Sequence, residues 1–195
     1  MLPRKVGVIT MACNAWTVTR IWVFPNILGR LPVSVRCVMV GLPAMADIQR
    51  FAYFARYIAE RFPRGRVFDV AGGKGMLNIE LSKLGFEVLT FDQRHKHLDV
   101  PYAQRTFTLA EPCAADLVVG MHPDGATRLI VEYAAQHRIP FAIVPCCSDN
   151  SMPYKQWMRF IHGLAVSHGF TTVAEGELPM RGRARVLHGQ FATPA

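Results

Sequence analysis

Acidic residues are absent from the first 46 positions of this 195-residue chain, and charged residues are scarce throughout. Only 18% of residues are charged whereas 51% are hydrophobic, a balance that excludes an intrinsically disordered chain. No uninterrupted apolar run reaches the roughly 18 residues that a membrane-spanning helix needs, so we expect no membrane partner. The length suffices for one domain with its own hydrophobic core.

Cysteine occurs five times, and no two cysteines have the C-x-x-C spacing of a zinc or redox site. An odd count with an adjacent pair excludes the disulfide framework of small secreted domains. We therefore expect a reducing compartment, the cytoplasm in the first instance, and no bound metal. The cysteines are Cys13, Cys37, Cys113, Cys146 and Cys147.

Residues 1–45 form an irregular basic N-terminal extension, and we expect the working domain at 46–195. Transit segments are rich in Arg and poor in acids, so one interpretation is a targeting segment that directs the chain to an organelle. An upstream, non-native start and an irregular lid over the substrate site are the alternatives. The basic residues of the segment supply five of the net +8 charges, which leaves only +3 for the rest and weakly supports a nucleic-acid partner. They are Arg4, Lys5, Arg20, Arg30 and Arg36.

An amphipathic helix is predicted directly after this extension, with Asp47 as its N-cap and Pro63 and Gly65 beyond its end. Its apolar residues recur with the i, i+3, i+4, i+7 period that places them on one helix face. They are Ile48, Phe51, Ala52, Ala55, Ile58, Ala59 and Phe62.

Strands and helices alternate along the remaining sequence, which predicts an α/β fold with a mostly parallel sheet and helices on both faces. The two last strands are too close together for a crossover helix, so the C-terminal strand must be antiparallel. Predicted strands are 66–71, 86–91, 106–109, 117–121, 140–144, 170–174 and 184–191, and predicted helices are 75–84, 124–137 and 153–168.

The first predicted strand ends in a glycine-rich turn, Ala71-Gly72-Gly73-Lys74-Gly75, that opens a helix. Such a turn lets a ligand approach the backbone closely at the carboxyl end of a strand. A dinucleotide requires G-x-G-x-x-G, and the third glycine is missing here. S-adenosylmethionine (SAM) has no pyrophosphate and does not require that glycine.

The segment Asp69–Gly75 resembles motif I of class I methyltransferases, D-x-G-x-G-x-G, and in particular the D-x-A-G-G-x-G variant of quinone-biosynthesis methyltransferases. It departs from the commoner form at Ala71, where glycine is usual. The resemblance implies a Rossmann-like class I methyltransferase fold that binds SAM through Gly72, Gly73 and Gly75. It also implies that Asp69 organises the turn and the amino group of the ligand, although a purely structural role for Asp69 is an alternative.

Asp92 ends the next predicted strand, 17 residues after Gly75. A carboxylate at this position can accept hydrogen bonds from both ribose hydroxyls of the cofactor. The alternative is a solvated loop acid. The basic run Gln93–His97 follows directly, and it either contacts an acidic substrate or RNA phosphate or is simply solvated. Arg181, Arg183 and Arg185 could extend such a basic patch.

His122 follows the fourth predicted strand, and the fifth ends in Pro145-Cys146-Cys147. This pairing resembles methyltransferase-like proteins, among them the eukaryotic tRNA 2′-O-methyltransferases that act on the acceptor stem. The resemblance implies that His122, Cys146 and Cys147 line the acceptor site, with His122 as a candidate general base. The alternatives are packed structural residues. Asp124 is interpreted as the cap of the following helix, and Glu111 is a weak candidate for contacting adenine.

We therefore expect a SAM-dependent methyltransferase whose acceptor is an RNA nucleotide. One alternative is a non-catalytic methyltransferase-like module that binds RNA or protein. The other is an NAD(P)-dependent oxidoreductase, which the missing third glycine disfavours.

Overall fold

Strands and helices alternate in the computed structural model, which describes residues 47–95, 97–145 and 152–192. The predicted N-terminal extension, residues 1–45, lies outside these residues, so its interpretation and the domain boundary stay predictions. The strands are β1 Arg66–Val70, β2 Glu87–Asp92, β3 Tyr102–Gln104, β4 Leu117–Met121, β5 Phe141–Val144, β6 Thr172–Glu177 and β7 Arg185–Gln190. The helices are α1 Arg50–Arg61, α2 Met76–Ser82, α3 Thr127–His137 and α4 Tyr154–Ser167.

The strands form one seven-stranded sheet in the order β3-β2-β1-β4-β5-β7-β6. Strands β1 to β5 pair in parallel, and β7 is antiparallel to both β5 and β6. The predicted α/β fold, with a mostly parallel sheet and an antiparallel C-terminal strand, is confirmed. Strands β2 and β3 lie on one side of β1, and β4 and β5 lie on the other. The gap between β1 and β4 is therefore the topological switch point, which is where ligands bind in open α/β sheets.

The edge at which the parallel strands end is called here the carboxyl edge. Strand β6 runs in the same direction as β5, so the loop 178–184 between β6 and β7 lies at this edge. Helix α4 follows β5 in the chain and begins there. Helix α1 ends four residues before β1 starts, so it runs against the strand and begins on the side of the carboxyl edge.

Two hydrophobic cores lie on the two faces of the sheet. One contains α1 and α2 through residues such as Phe54, Ile58 and Leu77, and the other contains α3 and α4 through residues such as Tyr133 and Ile161. Successive side chains of a strand point to opposite faces of the sheet. Because both faces are covered by a hydrophobic core, the buried strands are continuous runs of apolar residues. Among the described elements, no helix is long and apolar enough to cross a bilayer.

Helix α1 begins later than its apolar pattern predicts. Ile48 precedes the helix and is 77% exposed, so its inclusion in the buried face is wrong. Asp47 is not the N-cap residue, which is Gln49, but its side-chain Oδ1 accepts the backbone N–H of Gln49 at 2.9 Å. The buried residues of the helix are Phe54, Ala55, Tyr57 and Ile58.

The third strand is Tyr102–Gln104 and not 106–109 as predicted. Phe107, at the centre of the predicted strand, instead packs into an aromatic cluster, with ring centroids 5.0 Å from Phe91 and 4.7 Å from Tyr133. The apolar character of that segment therefore reflects burial beside the sheet. The real strand, only three residues long at the sheet margin, has no apolar alternation to reveal it.

Helix α1 is joined to β7 by a buried polar contact. The Tyr57 hydroxyl lies 2.9 Å from Nδ1 of His188, and both residues are buried. A Cβ added to Gly176 would lie 2.5 Å from the same hydroxyl, so β6 has glycine where the tyrosine approaches. The guanidinium of Arg61 covers the Tyr57 ring at 3.7 Å from its centroid.

We expect Tyr57→Phe to lower the free energy of unfolding by about 1–3 kcal/mol, because Nδ1 of His188 is left unpaired in a buried position. Urea denaturation measures the change. Tyr53→Phe is the matched control, since the Tyr53 hydroxyl makes only an exposed bond to Gln49 and its loss is expected to cost no more than about 0.5 kcal/mol. Equal destabilisation by the two substitutions would contradict the importance of the buried contact.

Candidate functional site

The glycine turn between β1 and α2 has an unusual backbone. Ala71, Gly73 and Gly75 all have positive φ, at 54°, 63° and 85°. For alanine this left-handed region costs roughly 1–2 kcal/mol, which explains why glycine is usual at position 71 in the motif that the turn resembles. Surrounding contacts therefore hold the turn in its shape.

The carboxylate of Asp92 is one of those contacts. Its Oδ2 accepts the backbone N–H of Gly73 at 2.8 Å, and its Oδ1 accepts the backbone N–H of Arg94 at 3.0 Å. The Arg94 side chain adds an ion pair, with Nε 3.7 Å from Oδ1. A carboxylate has about four lone-pair positions, so about two remain for a ligand. The structure thus brings Asp92 and the glycine turn together, as the sequence predicts.

Beneath the turn lies a chain of buried polar side chains. Asn78 donates to Thr90 Oγ1 at 3.1 Å, and Thr90 donates to Asp69 Oδ2 at 3.2 Å. All three residues are fully buried. A Cβ at Gly72 would overlap Asp69 Oδ2, so the glycine is required by the acid below it.

Asp69 has one oxygen, Oδ1, without a hydrogen-bond partner in the described part of the chain. Burial raises the pKa of this carboxyl to about 7, the hydrogen bond from Thr90 opposes the shift, and the charge of Asp92 adds to it. An unpaired buried carboxylate oxygen is costly, and a donor or cation placed against it would remove that cost. The amino group of SAM has this character, so the predicted role of Asp69 fits the arrangement.

The loop after β2 folds back over the turn and was missed by the sequence analysis. The Tyr102 hydroxyl donates to Gly73 O at 2.7 Å, and His97 stacks on the Tyr102 ring at 3.9 Å between centroids. The Leu98 N–H donates to Lys74 O at 2.9 Å. Tyr102 carries no local motif, because only the register between β2 and β3 places its hydroxyl on the turn.

The basic run Gln93–His97 is exposed, but it is also attached to its surroundings, apart from Lys96, which lies outside the described residues. Arg94 pairs with Asp92, and Nδ1 of His95 lies 2.6 Å from the side-chain nitrogen of Gln104. The run is therefore more than a solvated loop, because Arg94 and His95 contact residues around the glycine turn and β3. A Cβ at Gly73 would lie 3.4 Å from the Arg94 guanidinium.

His122 directly follows β4 at the carboxyl edge and has a left-handed conformation, with φ of 53°. Its backbone N–H donates to Val144 O at 2.9 Å, so the ends of β4 and β5 are held together. The ring is half-buried, and its Nδ1 is covered without a partner among the described residues. Burial, and then the charges of Arg50 and Arg183, lower the pKa of His122 to about 4. The imidazole is therefore neutral at pH 7, and the lowered pKa makes it a weaker base than a free histidine.

Cys146 and Cys147 lie outside the described residues, so their predicted place beside His122 stays a prediction. Asp124 is not the cap of the next helix: α3 begins at Thr127 after Ala126, and Asp124 is exposed. The carboxylate of Glu111 forms an ion pair with Arg105 at 2.7 Å. This contact gives no support to the prediction that Glu111 contacts adenine. In the ranges that the structure covers, no three His, Cys, Asp or Glu residues are grouped so as to hold a metal.

Two further arginines lie at the carboxyl edge: Arg50 was missed as a site residue, and Arg183 was predicted as one of three residues that could extend a basic patch. Arg50 is the first residue of α1, and Arg183 lies in the β6–β7 loop with its guanidinium 4.6 Å from the ring centroid of Tyr154. Only the meeting of α1, β4 and the last loop at the carboxyl edge relates them to His122. Arg185, by contrast, pairs with Glu175 at 3.7 Å on the strands.

Solved structures of methyltransferases share this architecture at low sequence identity. A precorrin-6y C5,15-methyltransferase from Geobacter metallireducens aligns with a TM-score of 0.56 at 11% identity, over 78% of this chain and 94% of that one. A ribosomal protein L11 methylase from Lactobacillus delbrueckii aligns with a TM-score of 0.53 at 18% identity, over 73% and 77%. A 1,6-didemethyltoxoflavin-N1-methyltransferase from Burkholderia thailandensis, solved with its substrate and S-adenosylhomocysteine (SAH), aligns with a TM-score of 0.52 at 14% identity, over 75% and 80%.

Neither a protein-family model nor a curated protein sequence matches this chain. At identities of this size the likeness concerns the fold. The chain has the Rossmann-like fold of class I SAM-dependent methyltransferases, as the resemblance at Asp69–Gly75 implies.

The raised pKa of Asp69 predicts a pH-dependent stability. The folded state keeps the proton up to about pH 7, whereas the unfolded chain loses it near pH 4. The protonated Asp69 therefore contributes its full share to the free energy of unfolding below pH 4, and this stabilisation is lost as the pH rises to 7. Asp69→Asn cannot ionise, so we expect the variant to gain stability relative to the parent between pH 5 and pH 8, by on the order of a few kcal/mol.

Urea denaturation at several pH values tests this expectation. Asp99→Asn is the control, because Asp99 is exposed and makes no described hydrogen bond or ion pair, so its difference from the parent should not change with pH. A constant difference for Asp69→Asn over the same range would show that Asp69 ionises normally in the fold.

Proposed function

We propose that residues 46–195 form a SAM-dependent methyltransferase domain whose acceptor is an RNA nucleotide. The observation that carries the proposal is the bond from Gly73 N–H to the Asp92 carboxylate at the carboxyl ends of β1 and β2, next to the switch point between β1 and β4. A glycine turn joined to a carboxylate with spare acceptor capacity is what supports a site for the ribose of SAM. The fold shared with methyltransferases supports the proposal.

The cofactor is assigned from the donors and acceptors of the turn. The N–H groups of Gly72, Gly73 and Gly75 are all bonded within the protein, to Phe91 O, Asp92 and Gly72 O. A pyrophosphate needs such groups free, so the arrangement disfavours an NAD(P)-dependent oxidoreductase. Acceptor capacity remains on Asp92, which suits the ribose hydroxyls of SAM. The unpartnered Oδ1 of Asp69 suits the amino group of SAM in its chemistry, although that oxygen is fully buried.

We expect Asp92→Ala to weaken the binding of SAM and SAH at least about tenfold, the scale of charge-assisted hydrogen bonds lost together with the turn contact. Isothermal titration calorimetry with both ligands measures the change. Asp99→Ala removes the same charge from the following loop and should bind like the parent. An unchanged affinity in Asp92→Ala would remove this residue from the cofactor site.

The acceptor side is assigned to His122 together with Cys146 and Cys147. When bound, SAM supplies an electrophilic methyl group carried on a sulfonium. Methyl transfer forms a bond between the acceptor oxygen or nitrogen and the methyl carbon while the carbon–sulfur bond breaks. His122, neutral at pH 7, would take the proton that the acceptor loses, and the other residues would position the nucleotide.

Transfer of labelled methyl from SAM into total RNA, compared with total protein, tests the acceptor class. We expect label in RNA, and we expect His122→Asn to lower the rate about 10²-fold or more, as for other general bases. Calorimetry with SAH should give the same affinity for this variant as for the parent. Label in protein alone would refute the RNA acceptor, and a full rate in His122→Asn would refute its role as base.

One observation favours a second candidate, a non-catalytic methyltransferase-like module that binds RNA or protein. Side chains of the protein already contact the turn, since a Cβ at Gly75 would lie 2.7 Å from Val100. Packing against Val100 is therefore a sufficient reason for glycine at position 75, and no ligand is needed to explain it. The absence of any calorimetric response to SAM and SAH in the parent protein would favour this module.

A further inference from the structure

Two arginines at the carboxyl edge have no carboxylate partner within the described ranges. The contact found for Arg50 is with the Phe51 ring, 4.6 Å from its centroid, and that for Arg183 is with the Tyr154 ring. Arg56, Arg64, Arg138, Arg159 and Arg181 likewise form no described ion pair, whereas six arginines of the described chain pair with acids within 4 Å. These six are Arg61, Arg66, Arg94, Arg105, Arg128 and Arg185.

The acids close in sequence do not neutralise this pair. Asp47 accepts the N–H of Gln49, and Asp124 is exposed and forms no described ion pair. Arg50 is partly buried, and its Nε is covered by the protein without any hydrogen-bond acceptor. A covered guanidinium nitrogen without an acceptor is unfavourable, and an anion that enters from the cleft would relieve it.

The two arginines come to the carboxyl edge from different elements of the fold. Arg50 begins α1, and Arg183 belongs to the loop between β6 and β7, both at the carboxyl edge where His122 follows β4. Both charges reach the His122 imidazole strongly enough to contribute to its lowered pKa. Among the described residues, the acceptor side therefore carries two arginines without an acidic partner beside an uncharged histidine.

We propose that Arg50 and Arg183 hold a backbone phosphate of the acceptor RNA beside His122. Guanidinium groups bind phosphate through paired, charge-assisted hydrogen bonds, and a phosphate has enough oxygens to accept from two arginines at once. The inference rests on the proposed methyltransferase function for the identity of the acceptor. The inference narrows the substrate to a nucleotide within a phosphodiester chain. It also names Arg50 and Arg183 as two residues that determine this specificity.

Phosphate contacts are measured by the salt dependence of binding. With a fluorescein-labelled single-stranded RNA of 12 nucleotides, the full-length protein and saturating SAH, fluorescence anisotropy between 50 and 200 mM salt gives the slope of log K against log salt. Each phosphate contact on a single strand contributes about 0.7 to that slope. We expect the slope to become shallower by about 0.7 in Arg50→Gln and in Arg183→Gln, and by about 1.4 when both are changed.

Arg56→Gln is the matched control, because Arg56 is exposed on the same helix and forms no described ion pair. Its slope should equal that of the parent. Arg183→Lys keeps the charge and should also retain the slope. Since Arg183 is an exposed loop residue, its variants test the proposal even if a change at Arg50 impairs folding.

Three outcomes overturn the inference: parental slopes in Arg50→Gln and Arg183→Gln, no RNA binding by the parent, or equal binding of a labelled poly-glutamate peptide, which would indicate a carboxylate ligand. Calorimetry with SAH on the same preparations separates this result from the cofactor assignment. Normal SAH affinity with unchanged slopes rejects the phosphate contact alone. Loss of SAH binding in the parent, with the expected slopes, rejects the methyltransferase and leaves the RNA contact.

Discussion

The desolvated carboxyl of Asp69 is the constraint on which the arrangement of the site depends. It lies fully buried under the glycine turn, and Thr90 and Asn78 form the hydrogen-bonded chain that partly compensates its burial. Because the acid occupies the space next to Gly72, no side chain fits there. The residues on either side of Gly72, Ala71 and Gly73, have positive φ. One buried oxygen of this carboxyl has no partner among the described residues, and a hydrogen-bond donor placed against it would be stabilising.

Electrostatic asymmetry divides the carboxyl edge into two regions. Around the turn, Asp92 and Asp69 offer hydrogen-bond acceptors to a ligand that carries hydroxyl and amino groups. Around His122, burial of the ring lowers the pKa of the imidazole, and the charges of Arg50 and Arg183 lower it further and favour an anion. A cationic methyl donor and an anionic acceptor strand would thus meet regions of opposite sign. Such complementarity orients two ligands toward each other before any chemistry occurs.

Backbone strain marks both regions. Ala71 and His122 have positive φ without being glycine, and each is placed directly after a parallel strand. Strain of this kind persists only where neighbouring contacts determine the conformation, here the bonds of the glycine turn and the contact between His122 and Val144 O. Its occurrence at the ends of β1 and β4 agrees with the general placement of ligand sites in open α/β sheets.

Sequence alone determined the elements whose hydrophobic period is strong, because burial in a sheet or against it imposes that period directly. Leu117–Met121 was predicted with its true bounds, and the spacing of Asp92 from the glycine turn was enough to predict their meeting. Tertiary structure decided the rest. Strand β3 is too short and too exposed to carry a pattern, so the role of Tyr102 follows only from its register. Arg50 and Arg183 are 133 positions apart in the chain, and no local property reveals that the fold brings both to His122.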